Sequence, residues 1–169
     1  MKLLAELETF DRTYNMRLVN FSDSEHRGIL LDLAVRNNYR PLEMYVSVKG
    51  TLPPRAMVLE HYRLENNPIH TEQQYQDAIA SIQFTKDRIF TKNVEWCAMY
   101  INDITGSPIG FIVYRLMRSD LPVCHIEYLC VDAVQRGVGF GRALLRRLEM
   151  FVKFFCSSMR QNVRKDLQH

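Results

Sequence analysis

The segment CVDAVQRGVGFGRALLRRLE (130–149) contains three glycines within five positions, directly before a helical pattern. Glycine allows backbone conformations that a Cβ forbids, and it allows a ligand to approach the backbone closely. The first N–H groups of a helix have no partner within the helix, and the helix dipole favours negative charge there. The segment therefore predicts a strand, an anion-binding loop and a helix in succession.

Two well-known phosphate-binding motifs do not fit this loop. A P-loop requires G-x-x-x-x-G-K-[ST], whereas Arg142 and Ala143 follow Gly141 here. A dinucleotide fingerprint requires G-x-G-x-x-G within a βαβ unit. The glycine spacing differs from that pattern, and the segments before the loop predict a β-meander rather than a crossover.

Alternating apolar residues predict four strands and place the glycine loop at the end of the last one. DITGS (103–107) is typical of a hairpin turn, and the short RSDLP (118–122) predicts a second antiparallel connection. A helix from about 139 to 155 follows the glycines. The predicted strands cover 14–21, 94–102, 108–117 and 123–131.

Two capping boxes predict helices between the first two strands. Ser22 and Glu25 have the required spacing, and the helix that they open runs to about residue 37. Thr71 and Gln74 open a second helix, which runs towards residue 90.

Residues 38–70, between those two helices, contain several prolines and a glycine, and we expect an irregular segment. Within it, EMYVSVK (43–49) predicts a short strand and RAMVLEHYRLE (55–65) a helical turn. The order of elements predicts an α/β (α+β) layered fold, with a mixed, mostly antiparallel sheet flanked by helices.

Composition limits the classes of function. The chain has 169 residues, of which 47% are hydrophobic, as expected for one globular domain. From Arg142 onward there are seven basic and two acidic residues, but no aromatic residue is interleaved with the basic ones after Phe155, which argues against nucleic-acid binding. No run approaches the roughly 20 apolar residues of a membrane helix. Four cysteines without a CxxC pair favour reduced thiols in a cytoplasmic protein without a metal.

The run RGVGFG (136–141) and its setting are similar to the R/Q-x-x-G-x-G/A signature of the GNAT superfamily of acyl-CoA-dependent N-acyltransferases. The setting is a hairpin, a strand that ends in LCV (129–131), a short linker and a helix that begins GRALL. The segment IEYLCVDAVQRGVGFGRALL (126–145) particularly resembles the diamine and polyamine acetyltransferase branch. The resemblance covers about residues 14–155 and implies a GNAT-like fold.

The resemblance also implies a site for acetyl-CoA. Backbone groups of Leu129, Cys130 and Val131 would bind the pantetheine arm as an added strand does. Arg136 would stand at the start of the pyrophosphate loop. The N–H groups implied to hold the pyrophosphate belong to Gly137, Val138, Gly139, Phe140, Gly141 and Arg142.

Acyl transfer to an amine requires the neutral amine, because its lone pair attacks the thioester carbonyl. An alkyl amine with a pKa of about 10.4 is mostly protonated at neutral pH, so a general base helps. Glu127 is the candidate base, and strand alternation places it on the same face as Leu129 and Val131. A cross-strand salt bridge is its alternative role. His125, one step further along that face, matches the position at which protein-lysine acetyltransferases tend to have their base.

Neighbouring residues are interpreted as structural. Tyr128 is predicted to point to the face opposite Glu127, into the core. Cys130 is predicted to be a small buried residue rather than a nucleophile. In the last helix, Leu144, Leu145 and Leu148 are predicted core positions.

A GNAT domain continues beyond this helix, whereas only CSSMRQNVRKDLQH (156–169) follows here. We therefore expect a GNAT-like domain at 14–155 that stops after the helix. Either the chain is truncated, or another segment or subunit supplies the rest, or the protein keeps a partial fold for a different task. The domain would lie between an N-terminal extension (1–13) and a polar basic tail (156–169), with 38–70 as an irregular insert.

Two functions from different classes follow. The first is an acetyl-CoA-dependent N-acetyltransferase that acts by direct attack on a primary amine of a small molecule or a protein. The second is a catalytically inactive GNAT-like module that binds CoA or a protein partner. We expect no membrane partner, and the sequence leaves a homodimer open.

Overall fold

A computed structural model describes residues 15–89, 94–117 and 123–167. The predicted N-terminal extension and the predicted loop 118–122 lie outside these ranges. The chain divides into two compact units, which we call the sheet unit (residues up to 19 and from 95 onward) and the helical unit (Asn20–Val94).

Four antiparallel strands form one sheet in the order β1-β2-β3-β4. The predicted bounds of β2, β3 and β4 are confirmed, whereas β1 is shorter than 14–21. Alternating apolar residues and polar turn residues mark these strands clearly, which explains the agreement. The strands are β1 (Asn15–Leu18), β2 (Val94–Asn102), β3 (Pro108–Met117) and β4 (Val123–Val131).

The predicted hairpin turn between β2 and β3 is also confirmed. Oδ1 of Asp103 accepts hydrogen bonds from the Thr105 hydroxyl (2.6 Å) and the Ser107 N–H (2.9 Å). The Thr105 hydroxyl and the Ser107 N–H lower the pKa of Asp103, because they stabilise its ionised form. Gly106 has a φ of +91°, which a residue with a side chain rarely adopts.

One long helix, α5 (Phe140–Leu167), follows β4 after a short 3₁₀ turn at Ala133–Gln135. Its end near residue 155 was wrongly predicted. The residues beyond that point include no glycine or proline, and Arg, Gln and Lys are good helix formers, so the helix continues through the polar segment.

The core of the sheet unit lies between α5 and one face of the sheet. Leu144 and Leu148 are buried as predicted, whereas Leu145 is 38% exposed and is not a core residue. Tyr128 and Cys130 are buried, as predicted. The cluster under α5 consists of Met99, Ile101, Ile109, Ile112, Tyr114, Leu116, Phe140, Leu144 and Leu148.

The backbones of β3 and β4 approach each other closely at Gly110, which pairs with Val131. A Cβ built on Gly110 would lie 2.9 Å from the carbonyl oxygen of Cys130 and 3.4 Å from Cα of Val131. Both neighbours are backbone atoms, so they cannot rotate away. Glycine at this position therefore sets the spacing of the two strands where β4 ends.

Gly110→Ala should lower the free energy of unfolding by about 1–3 kcal/mol, the usual cost of overpacking. Denaturant unfolding of the purified chain measures it. Gly28→Ala is the matched control, because its Cβ would meet nothing within 4 Å and alanine is the better helix former. The control should be neutral or stabilising. Equal stability of Gly110→Ala and the unsubstituted chain would contradict the argument.

The described part of the helical unit contains four helices, and the second of them corrects a prediction. EMYVSVK, predicted as a strand, belongs to α2. Burial in this helix repeats at every second residue, the spacing that is typical of a strand. The buried apolar residues are Leu42, Met44, Val46 and Val48. The helices are α1 (Ser24–Arg36), α2 (Pro41–Lys49), α3 (Arg55–Leu64) and α4 (Glu72–Ile89).

Two residues that predicted an irregular segment, a proline and a glycine, lie at the ends of α2. Pro41 occupies the first helical turn, where its missing N–H costs nothing. Gly50 is the C-cap with a φ of +72°. The predicted irregular insert therefore contains two helices, α2 and α3.

The predicted capping boxes have different outcomes. Thr71 and Gln74 exchange reciprocal hydrogen bonds of 3.1 Å, which confirms the second box. The first prediction was wrong by one residue, because Asp23 caps α1 and its side chain accepts from the N–H of Glu25 at 2.9 Å. Aspartate is as good an N-cap as serine, so sequence spacing did not distinguish them.

Candidate functional site

The glycine loop begins at the end of β4. The Asp132 N–H donates to the Ile109 carbonyl (2.7 Å), which extends the pairing of β3 and β4 by one bond. After the 3₁₀ turn, Gly137 and Gly139 have φ values of +85° and +98°. These are left-handed conformations, so the loop requires glycine at both positions.

The start of α5 presents backbone donors that precede its hydrogen-bond ladder. The first i to i−4 bond of the helix joins the Ala143 N–H to the Gly139 carbonyl (3.0 Å). The N–H groups of Gly141 and Arg142 precede it and therefore lie outside the helical hydrogen-bond ladder. Phe140 is buried in the cluster under α5, which fixes the position of these donors.

The space around the loop would admit a ligand. A Cβ on Gly137 would meet nothing within 4 Å, and Val138 is 63% exposed. A Cβ on Gly141 would lie 3.6 Å from Cγ2 of Val131, an ordinary contact. The structure thus brings together the predicted loop residues from 137 to 142 around the helix N-terminus, with glycines where the backbone is accessible.

Arg136 ties this loop to β4. Its Nε donates to the carbonyl of Val131 (3.1 Å), so one of the backbone groups predicted to face pantetheine is occupied in this structure. β4 is the last strand in the described part of the sheet. Its outer edge is therefore the side on which an extended ligand can add as a strand.

β4 contains a bulge at Glu127. Val113 pairs with Tyr128 and Tyr114 pairs with Ile126, which leaves Glu127 without a Cα partner on β3. A bulge inserts one residue and reverses the alternation of side chains beyond it. Side chains before and after Glu127 therefore cannot be assigned to faces by simple alternation.

The predicted face of Glu127 was wrong for this reason. Leu129 and Val131 pack against the cluster under α5, whereas Glu127 contacts Arg115. Arg115 is adjacent in β3 to Leu116 and Tyr114, which belong to that cluster, so it lies on the other face. Without the bulge, alternation along β4 would have placed Glu127 with Leu129.

Glu127 belongs to a mostly buried polar and aromatic cluster. Its Oε1 accepts a hydrogen bond from Nε of Arg115 (2.5 Å), and the two side chains are 15% and 16% exposed. The Arg115 guanidinium lies 5.5 Å from the ring centroid of Trp96. Trp96 in turn stacks on Tyr128, with ring centroids 6.4 Å apart. Tyr128 therefore shares the face of Glu127, which corrects the prediction that it points away.

Sequence reasoning missed Arg115 and Trp96. Arg115 is a single charged residue within the apolar strand PIGFIVYRLM, and such a charge needs a buried partner. That signal predicts an ion pair but does not identify its partner. His125, the second candidate base, pairs in register with Arg115 and is exposed.

The chain belongs to the acetyltransferase (GNAT) family, because a sequence model of that family matches residues 56–167. The matched region begins in α3 and includes β2, β3, β4, the glycine loop and α5. The α/β (α+β) fold expected from the sequence is confirmed. Membership in this family supports acyl transfer as the general class of function.

Solved structures with similar folds include acetyltransferases. An aminoglycoside acetyltransferase from an uncultured soil metagenomic sample has 11% identity and a TM-score of 0.48, over 85% of this chain and 74% of that one. An acetyltransferase from Trypanosoma brucei has 18% identity and a TM-score of 0.42, over 85% and 77% of the two chains. No curated protein sequence matches the chain. The family assignment therefore rests on the sequence model.

Three further properties concern only the described residues. None of their helices combines the length and apolar composition that a membrane crossing requires. No group of three His, Cys, Asp or Glu side chains lies together as a metal site would need. Within the same residues, Cys97, Cys124 and Cys130 form no disulfide, and Cys130 is buried.

Proposed function

We propose that the chain is an acetyl-CoA-dependent N-acetyltransferase that acts on a primary amine of a small molecule or a protein. The observation that carries the proposal is the glycine loop. Gly137 and Gly139 have positive φ values, and a Cβ on Gly137 would face open space. The loop leads directly to the N–H groups of Gly141 and Arg142, which precede the hydrogen-bond ladder of α5. A diphosphate is the anion that such an arrangement of donors suits.

The residues that would hold acetyl-CoA are those predicted from the sequence. The amides from Gly137 to Arg142 would bind the pyrophosphate, and the exposed Arg142 side chain would add positive charge beside it. The outer edge of β4 at Leu129–Val131 would bind the pantetheine arm. When bound, acetyl-CoA supplies an activated acyl thioester.

Glu127 is our proposed general base. An acceptor amine must lose a proton to attack, and a carboxylate on β4 can accept that proton directly or through a water molecule. The bulge at Glu127 interrupts the pairing of β4 with β3 at this residue. Arg115 would then orient the carboxylate, since its Nε donates to Oε1 and leaves the second carboxylate oxygen for the proton. His125 is the alternative base.

Calorimetry with acetyl-CoA and with CoA, followed by mass spectrometry of an amine panel, tests this proposal. We expect saturable binding of both acetyl-CoA and CoA. We also expect at least one amine to gain the mass of an acetyl group. Absence of binding at millimolar CoA by the folded chain would reject both the transferase and the CoA-binding module.

A second function is favoured by the ion pair of Arg115 with Glu127. A carboxylate held by a mostly buried guanidinium can be purely structural, in which case the chain would be an inactive module that binds CoA or a protein partner. This candidate predicts CoA binding without acetyl transfer to any amine. A cytoplasmic location, the absence of a metal and the domain bounds 14–155 remain predictions.

A further inference from the structure

The helical unit contains a cavity of about 460 Å³, and none of its lining residues has a role in the transfer described above. Residues of α2, α3 and α4 line it, together with the loop between α1 and α2. Its volume lies within the roughly 300–1,000 Å³ of small-molecule sites. Its apolar part is formed by Leu42, Val46 and Ile82, each at most 7% exposed.

The remaining lining is polar and aromatic, and its charged side chains are one arginine and two glutamates. Arg40 is paired with Glu43 at 3.9 Å, so these two charges offset each other. Glu65 adds a second carboxylate, which has no hydrogen bond or ion pair within the described part of the chain. The cavity is therefore negative overall. Its aromatic members are Tyr39, His61 and Tyr62.

Backbone strain and an unpaired polar atom also occur at this cavity. Asn38 and Arg40 have φ values of +47° and +42°, left-handed conformations that cost free energy in any residue with a Cβ. Nδ1 of His61 is buried and has no hydrogen-bond partner among the residues that the structure describes. Such features are unusual in packing regions and concentrate at binding sites, which sets this cavity apart from a packing void.

We propose that this cavity binds a small arylalkyl amine, in which an alkyl chain joins the amine to an aromatic ring, in its cationic form. The ammonium would pair with the Glu65 carboxylate and lie near the faces of Tyr39 or Tyr62, whose rings attract cations. The aromatic body would cover the exposed apolar surface of Leu42 and Ile82. This proposal goes beyond the proposed function, because amine binding needs neither acetyl-CoA nor transfer. The amine is either the acetyl acceptor or an effector. In both cases Glu65 would bind its ammonium, and the aromatic and apolar lining would bind its ring.

The first test is calorimetry on the full chain, without acetyl-CoA, with tyramine and its neutral counterpart 4-ethylphenol. We expect saturable tyramine binding that is at least about tenfold tighter than that of 4-ethylphenol. Glu65→Gln should weaken tyramine at least about tenfold and leave 4-ethylphenol unchanged. Glu60→Gln is the matched control, since Glu60 lies in α3, the helix that Glu65 caps, pairs with Arg63 at 2.6 Å and does not line the cavity.

A second variant tests the location of the site without altering a charge. Ser81 is an exposed lining residue of α4, and Ser81→Trp should obstruct the cavity without disturbing the fold. We expect loss of tyramine binding with unchanged circular dichroism. Equal affinity for the two probes, or tyramine affinity unaffected by both Glu65→Gln and Ser81→Trp, would overturn the proposal.

The outcomes separate this inference from the proposed function. If tyramine is the acceptor, Glu65→Gln should raise its KM with little change in kcat, and acetyl-CoA affinity should not change. If tyramine is an effector, it should bind through Glu65 without being acetylated. Acetyl transfer to tyramine with an affinity insensitive to Glu65→Gln would reject this inference alone. Absence of transfer to every amine, with Glu65-dependent binding, would reject only the transferase.

Discussion

Replacing Gly139 with valine should abolish acetyl-CoA binding and leave the far-UV circular dichroism nearly unchanged. Gly139 has a φ of +98°, a conformation closed to a β-branched residue. The backbone must change there, and the N–H groups at the start of α5 would no longer converge. Loss of two charge-assisted hydrogen bonds, each worth about 1.5–3 kcal/mol, corresponds to at least about a 100-fold weaker affinity. Calorimetry with acetyl-CoA measures it.

Gly106→Val is the matched control for backbone strain. Gly106 also has a positive φ, of +91°, but it lies in the β2–β3 hairpin, where an added Cβ would meet nothing within 4 Å. Each substitution should cost roughly 1–2 kcal/mol of stability. Only Gly139→Val should lose acetyl-CoA. Similar losses of affinity in both variants would attribute the effect to general destabilisation and contradict a role for the loop.

Gly141→Val distinguishes the effect of backbone strain from that of a side chain that obstructs the ligand site. The Cβ at this position would make an ordinary contact, 3.6 Å from Cγ2 of Val131, so the backbone can remain as it is. We still expect loss of acetyl-CoA binding, because the added methyl groups would stand over the exposed N–H groups of the first helical turn. A Gly141→Val protein that binds acetyl-CoA normally would show that the ligand does not approach this residue.

Glu127→Gln should reduce the rate of acetyl transfer by about 10²–10⁴ at neutral pH, the usual contribution of a general base. Glutamine keeps the volume and a hydrogen-bond acceptor for Arg115, but it cannot accept a proton. The deficit should shrink as the pH approaches the amine pKa of about 10.4, because neutral amine is then supplied by the solvent. Acetyl-CoA affinity should hardly change. A pH profile of kcat and KM from pH 7 to 10 measures this.

The ion pair requires a stability control for that experiment. Removing one partner from a buried ion pair typically lowers the free energy of unfolding by about 3–5 kcal/mol. Because the two side chains are 15% and 16% exposed, we expect a loss at the lower end of that range. Arg115→Met with Glu127→Gln neutralises both partners and should recover part of the lost stability. If Glu127 is the base, the double variant stays slow. A rate that recovers with stability, or a loss that is independent of pH, would assign Glu127 a structural role and make His125→Ala the next variant.

The sequence by itself determined the architecture of the sheet unit and the location of its anion-binding loop. Strands β2, β3 and β4 have the predicted bounds because alternation and turn residues are local signals, encoded within a few neighbouring positions. The glycine requirement is local as well. Gly137 and Gly139 can adopt a positive φ because each lacks a Cβ, which is a property of the residue itself. A family signature built from such local features can therefore be recognised directly.

Only the tertiary structure decided the arrangement around Glu127 and the character of α2. The bulge at Glu127 depends on how β4 pairs with β3, and the pair with Arg115 joins residues 12 positions apart. α2 is buried on more than one side, so its apolar residues do not follow the period of an amphipathic helix. Strand register and burial on several faces arise from contacts between distant segments. The alternation of residues along one segment does not encode them, which is why the face of Glu127 and the helix at 41–49 were predicted wrongly.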